Sequence, residues 1–158
     1  MRASGVVDGA IAGAVGSAAL NVVSYLDVAV RARPTSNTPE ESVGRMADLA
    51  HVDLGPEDRA ANRRTGLGAV LGYALGIGAG AAFGALASGR RLPPAVSTAL
   101  LGGGVMATTI GSLATLGISD PRTWSRSDWV ADVVPHLAYG MAAAATLNRL
   151  RPPSGRCG

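Results

Sequence analysis

The side chains best suited to chemistry lie in one stretch near the C-terminal end. Asp128, Asp132, His136 and Gly140 stand four residues apart, which on a helix places them on one face. Tyr139 lies beside His136, and the residues around them are mostly apolar. An ionisable side chain in such a segment marks a functional site by default, because burying it is costly. Imidazole titrates near neutral pH, so Asp132 and His136 together would suit a proton relay or a general acid–base pair. Pro135 adds to this, since it removes the helical hydrogen bond to the carbonyl of Ala131. Asn21, flanked by Ser17 and Ser24, is the expected partner from another segment, and Thr108, Ser112 and Thr115 form a further polar stripe.

The same residues have a plainer reading. Asp128 and Asp132 fall in the first turns of their helix, where the macrodipole favours acids. Trp124 and Trp129 mark a membrane interface, which would leave Asp132 just below the headgroups. His136, Asn21 and the hydroxyls would then make interhelical hydrogen bonds.

Either reading needs helices to position these groups, and hydropathy supplies four. Charge is sparse over residues 6–30, 65–89, 92–118 and 127–150, and about 20 apolar residues cross a hydrocarbon core about 30 Å thick. The expected fold class is all-α, an integral membrane four-helix bundle forming a single domain over residues 1–158. One Phe, two Trp and three Tyr against 22 Gly make a poor soluble core. Gly costs about 1 kcal/mol against Ala in a soluble helix, whereas a bilayer enforces helix formation because an unpaired backbone group there is expensive. Arg2 with Asp8 makes a weak signal peptide, so the first helix is read as retained.

The linker, residues 31–64, is rich in Arg and acids. Thr38-Pro39-Glu40-Glu41 reads as a helix start, with Thr38 as N-cap, Pro39 at the first helical position and Glu41 closing a capping box. Val43, Met46, Ala47 and Ala50 then form the apolar stripe of a short amphipathic surface helix, which ends by Gly55-Pro56. A second elbow, Asp120-Pro121 followed by Ser125 and Asp128, resembles the first and suggests a weak internal repeat.

Small residues recur every fourth position. Gly68, Gly72, Gly76, Gly80 and Gly84 form a ridge on span two; Gly5, Gly9, Gly13 and Ser17 do so on span one; Ala99, Gly103, Ala107, Gly111 and Thr115 on span three. Bare ridges let helix backbones approach closely in lipid. They serve either packing within one chain or contact with a second copy or another membrane protein.

All 14 basic residues are Arg and the net charge is +3. They cluster at segment ends without aromatic interleaving, which argues against a nucleic-acid surface. The lone Cys157 excludes an internal disulfide or a cysteine-based zinc site, and His51 with Asp53, Glu57 and Asp58 matches no metal-ligand spacing. No phosphate loop, nucleophile elbow or metalloprotease motif occurs, so neither metal nor cofactor is expected. Basic residues near the span ends give nearly equal numbers on the two sides; Cys157, read as reduced, tips both termini towards the cytoplasm.

The stretch Ser119-Asp-Pro-Arg-Thr-Trp-Ser125, with Asp128-Trp129 and Val134-Pro-His-Leu-Ala-Tyr-Gly140, resembles a family of small actinobacterial membrane proteins. The Arg33-to-Glu40 elbow and the Gly-rich second span are similar too, and a more distant likeness is to YagU-type inner membrane proteins. The resemblance implies a compact four-span bundle and supplies no catalytic residue. The expected protein is therefore a multi-pass component of the inner (plasma) membrane, non-enzymatic, structural or accessory in role, with the lipid bilayer as its surroundings. The alternatives are a small proton or solute conduit using the polar stripe, or a membrane enzyme with Asp132 and His136 as its acid–base pair.

Overall fold

Helices form where charge is sparse, and they run on into charged flanks. In the computed structural model, which describes residues 3–90 and 92–151, the long helices are α1 (Ala3–Arg31), α3 (Glu57–Leu86), α4 (Pro94–Thr115) and α5 (Arg126–Leu150). A short helix, α2 (Thr38–Leu49), lies between the first two. Each of the four long helices is apolar and long enough to cross a membrane. The fold is thus all-α, four spanning helices with one extra helix between the first pair. Cys157 and the rest of the C-terminal tail lie outside the described residues.

The ends follow local chemistry. The first turn of α3 carries Glu57 and Asp58, where acids complement the helix dipole, so this helix starts well before residue 65. Pro94 occupies the first turn of α4, the position that tolerates a missing N–H, and Gly117, at φ 71°, follows its end. Ser125 and Asp128 close a full capping box at the start of α5.

The start of α2 differs from expectation. Asn37 is its N-cap, with no side-chain cap bond; Asn37 Nδ2 instead donates to Glu41 Oε1 at 2.6 Å. The Thr38 hydroxyl pairs with Ser36 and so does not cap. The buried face is Ser42, Val43 and Ala47, packed towards α3, while Met46 and Ala50 stay exposed. The elbows also diverge, because only the second starts a membrane-length helix.

The long helices pack in the order α3, α1, α5, α4, with α3 touching α4 only lightly. The core gathers around Tyr139, with Ala12, Leu101, Val105, Ala143 and Leu147. Many larger apolar side chains, among them Val22, Leu26, Val70, Leu100 and Met141, are exposed. In water such a surface would drive association; around a spanning bundle it is the face that meets lipid.

Helices α1 and α3 run antiparallel with their backbones nearly touching. Gly5 lies against Gly84, Gly9 against Gly80, and Gly13 against Gly76. A Cβ added at Gly13 would stand 2.5 Å from the carbonyl oxygen of Gly76 and 2.9 Å from Ile77 Cα. Such spacing leaves no room for any side chain between the two backbones. A second close crossing joins α4 and α5. There a Cβ on Gly102 would sit 2.6 Å from the His136 carbonyl oxygen, and one on Gly140 would sit 2.9 Å from the Gly102 nitrogen.

Candidate functional site

The polar stripe of α5 is placed by the cap at its start. Ser125 Oγ accepts from the Asp128 amide at 3.2 Å, and Asp128 Oδ2 accepts from the Ser125 amide at 2.9 Å. Just before it, Trp124 donates from its indole to Ser119 Oγ at 2.9 Å. Its ring meets that of Trp129 edge-on, with centroids 5.0 Å apart. This fixes an amphipathic aromatic pair at the end of the helix, as at a membrane–water boundary. Asp132 follows within one turn of Trp129.

The Asp132–His136 pair exists, though not as a carboxylate–imidazole hydrogen bond. His136 Nδ1 lies 2.7 Å from the backbone carbonyl oxygen of Asp132. A carbonyl only accepts, so Nδ1 carries the hydrogen. The carboxylate Oδ2 stands 3.6 Å from the same nitrogen, beyond hydrogen-bonding range, and this oxygen is buried with no hydrogen-bond partner. His136 itself is 7% exposed.

Tyr139 has a different task from the one its neighbours suggest. It is fully buried, and its hydroxyl crosses the bundle to donate to the carbonyl oxygen of Gly76 in α3 at 2.6 Å. Its ring lies on Gly16 of α1, where a Cβ would stand 2.7 Å from Cδ2. One side chain thus ties α5 to both α1 and α3. Among the described residues no hydrogen bond links His136 to Tyr139, and none joins Asn21 to Asp132, His136 or Tyr139.

The expected interhelical bonds of the hydroxyl stripes are replaced by local ones. Ser17 Oγ donates to Gly13 O at 3.0 Å, Thr108 Oγ1 to Gly104 O at 2.8 Å, and Ser112 Oγ to Thr108 O at 2.8 Å. Thr115 bonds the Gly111 carbonyl in the same way. A hydroxyl four residues on from a carbonyl reaches it within its own helix. Each is satisfied there, so Thr108, Ser112 and Thr115 sit on an exposed face of α4.

The small residues divide by place. Gly76, Gly80 and Gly84 face Gly13, Gly9 and Gly5, while Gly68 meets Pro39 of α2, where a Cβ would stand 3.0 Å from the proline Cβ. Gly72, Gly103 and Gly111 have open space around them. The ridge on α4 therefore faces away from the bundle, and Gly102, one residue over, makes the contact with α5. Sequence reasoning missed Gly16, Gly102 and the packing role of Gly140; the bulky Tyr139 was the available signal for Gly16, since so large a ring between helices needs a gap opposite.

Arginines fasten both ends. At one end Arg33 Nε meets Asp27 Oδ2 at 2.6 Å, and Arg31 Nη2 donates to Ser127 Oγ at 3.1 Å, tying the end of α1 to the start of α5. In the elbow before α5, the Asp120 carboxylate accepts from the Arg122 guanidinium at 2.9 Å. That hydrogen bond, helped by the Arg122 backbone amide and the cation's charge, holds the Asp120 carboxyl below its ordinary value. At the other end Arg151 donates to Gly84 O at 2.6 Å and to Ala87 O at 3.2 Å. It thereby satisfies the Gly84 carbonyl that the end of α3 leaves open and joins the Arg90 amide on the Ala87 carbonyl.

The arrangement holds helices together through glycine contacts, one buried tyrosine and arginine clamps, with a half-buried carboxylate beside a buried imidazole near one end. The chain matches no family model, no curated protein and no solved structure. On its own residues it is a small multi-span all-α membrane protein.

Proposed function

We propose that this protein is a non-enzymatic, structural or accessory component of the inner (plasma) membrane, its bundle locked by a glycine zipper between α1 and α3. The observation that carries this reading is the close approach of Gly5, Gly9 and Gly13 to Gly84, Gly80 and Gly76. A contact this intimate favours one fixed arrangement over helices that slide or part. Tyr139 supports it, since the ring fills the space between α1, α3 and α5 that a path through the middle would need. A homo-oligomer or a membrane-protein partner belongs to the same reading. Kinship with the small actinobacterial membrane proteins, and more distantly with YagU-type proteins, is part of the proposal and rests on the 119–125 and 134–140 segments.

A second reading, a small proton or solute conduit, draws support from one observation: the buried, unpartnered Oδ2 of Asp132 beside His136. One reconstitution separates the two. Purified protein in liposomes under a pH gradient should dissipate the gradient no faster than protein-free vesicles. A flux that depends on the protein and is lost in His136→Asn would replace the structural role with the conduit. In the same vesicles, crosslinking through a cysteine at the exposed Gly103 in a Cys157→Ser background reads out self-association, which Gly76, covered by Ser17 and Tyr139, would not.

A further inference from the structure

At the end of the bundle opposite the tryptophans, α3, the turn after it, α4 and α5 border a half-open cavity of about 250 Å³. Its floor is apolar, with Phe83 and Leu147; its polar lining is Arg90, Ser97, Asn148 and Arg151. Among the described residues no acidic side chain lines it.

Ser97 stands out. It is 5% exposed, it lines the cavity, and its hydroxyl makes no hydrogen bond among the described residues. The hydroxyls of α4 at Thr108 and Ser112 bond carbonyls of their own helix. Ser97 makes no such bond, and its side chain lines the cavity instead.

The surroundings are cationic by construction. Helix α4 begins at Pro94, which lines the cavity without an N–H to offer, so this helix brings only the positive end of its dipole. Arg151 is held in place by the carbonyls of Gly84 and Ala87, which keeps its charge beside the cavity. Arg90 adds a second charge from the turn. The antiparallel order also gathers Arg149 at this end, where Asp8 is the only acid in the sequence. Cations and a hydroxyl donor over an apolar floor match a phosphate group carried on something partly apolar.

We propose that this cavity binds a phosphate-bearing anion, either the headgroup of an anionic phospholipid or free phosphate. The inference is independent of the structural role proposed above.

The test uses the full-length protein, purified in a zwitterionic detergent. Native mass spectrometry with added phosphatidylglycerol or phosphatidylcholine, and thermal melting with added inorganic phosphate, distinguish the sources. A lipid site gives phosphatidylglycerol adducts that phosphatidylcholine does not form, and they weaken at least tenfold in Arg90→Gln and in Ser97→Ala. A free-phosphate site gives a saturable rise in melting temperature with inorganic phosphate, lost in the same variants. Both substitutions lie outside the glycine and tyrosine contacts, and melting without ligand verifies that each variant is folded. Equal binding of the two lipids together with no response to phosphate overturns the proposal. So does binding that both variants leave unchanged.

Discussion

Alanine at Gly80 and alanine at Gly72 are the same chemical change in one helix, and the structure assigns them opposite outcomes. Around Gly72 nothing lies within 4 Å of the new Cβ. At Gly80 the same atom would stand 2.7 Å from Gly13 Cα and 2.8 Å from Gly13 N, besides meeting the Gly9 carbonyl oxygen. Those neighbours are backbone, so no rotamer change relieves the clash. Carbon atoms settle at about 3.5 Å or more, so α1 and α3 must part by about 0.8 Å at this level. The displacement is shared by the flanking contacts at Gly76 and Gly84, since both helices are stiff.

Overpacking of a close contact costs about 1–3 kcal/mol, and Gly80→Ala should fall at the upper end of that range because it opens the whole ridge. Gly72→Ala should be neutral or slightly stabilising, by less than the about 1 kcal/mol that separates Ala from Gly in helix propensity. Adding Gly84→Ala to Gly80→Ala should cost less than the sum of the two, because helices already parted make room for the second methyl. Reversible unfolding in mixed micelles, followed by circular dichroism, measures the three single variants and the double variant against the unsubstituted protein. Equal costs at positions 72 and 80, or strict additivity at 80 and 84, would refute the argument that these glycines set the helix spacing.

Two further outcomes follow from particular contacts. Tyr139→Phe keeps the ring and loses only the bond to the Gly76 carbonyl, so it should cost about 0.6 kcal/mol, the size of a typical hydrogen bond inside a membrane protein, whereas Tyr139→Ala should cost about 3–5 kcal/mol through the cavity it leaves; the same unfolding assay reads both, and similar costs for the two would show that the ring is not well packed. In the elbow, the Arg122 hydrogen bond lowers the Asp120 carboxyl in the folded protein, so its contribution is complete above the unfolded carboxylate pKa of about 3.9 and is lost as pH falls through the lowered folded value. Carboxyl NMR in micelles should find the Asp120 midpoint below the ordinary carboxylate range, and Arg122→Gln should move it up into that range; a midpoint unaffected by that change would remove Arg122 as the cause.

Much of the architecture is legible in the sequence because lipid leaves few options. A run of apolar residues in hydrocarbon must be a helix, so charge-sparse stretches announced all four spans, and the Ser125–Asp128 cap could be read from two residues. The caps of polar segments were harder. Thr38 and Asn37 are both good N-caps, and three-dimensional competition decided between them: the Thr38 hydroxyl was taken by Ser36, and Asn37 was left to pair with Glu41.

What the sequence could not show is direction around each helix. A ridge of small residues is visible as a period of four, but the period does not say which neighbour it meets. The ridge on α3 met α1 at three of its glycines and open space at Gly72, while the ridge on α4 missed the bundle altogether and Gly102 took the contact. The same ambiguity governs the polar stripe. Asp132, His136 and Tyr139 fall near one face of α5, which is what suggested a relay. Yet the 2.6 Å bond from Tyr139 to Gly76 turns the largest of them into a strut between helices, leaving a carboxylate and an imidazole as neighbours without a continuation. A relay needs each donor to find the next acceptor; here the hydroxyls and the imidazole find backbone carbonyls instead. Of such bonds to carbonyls, those of Tyr139 to Gly76 and of Arg151 to Gly84 and Ala87 cross between elements and hold them in place, while those of Ser17, Thr108, Ser112 and His136 close within a single helix.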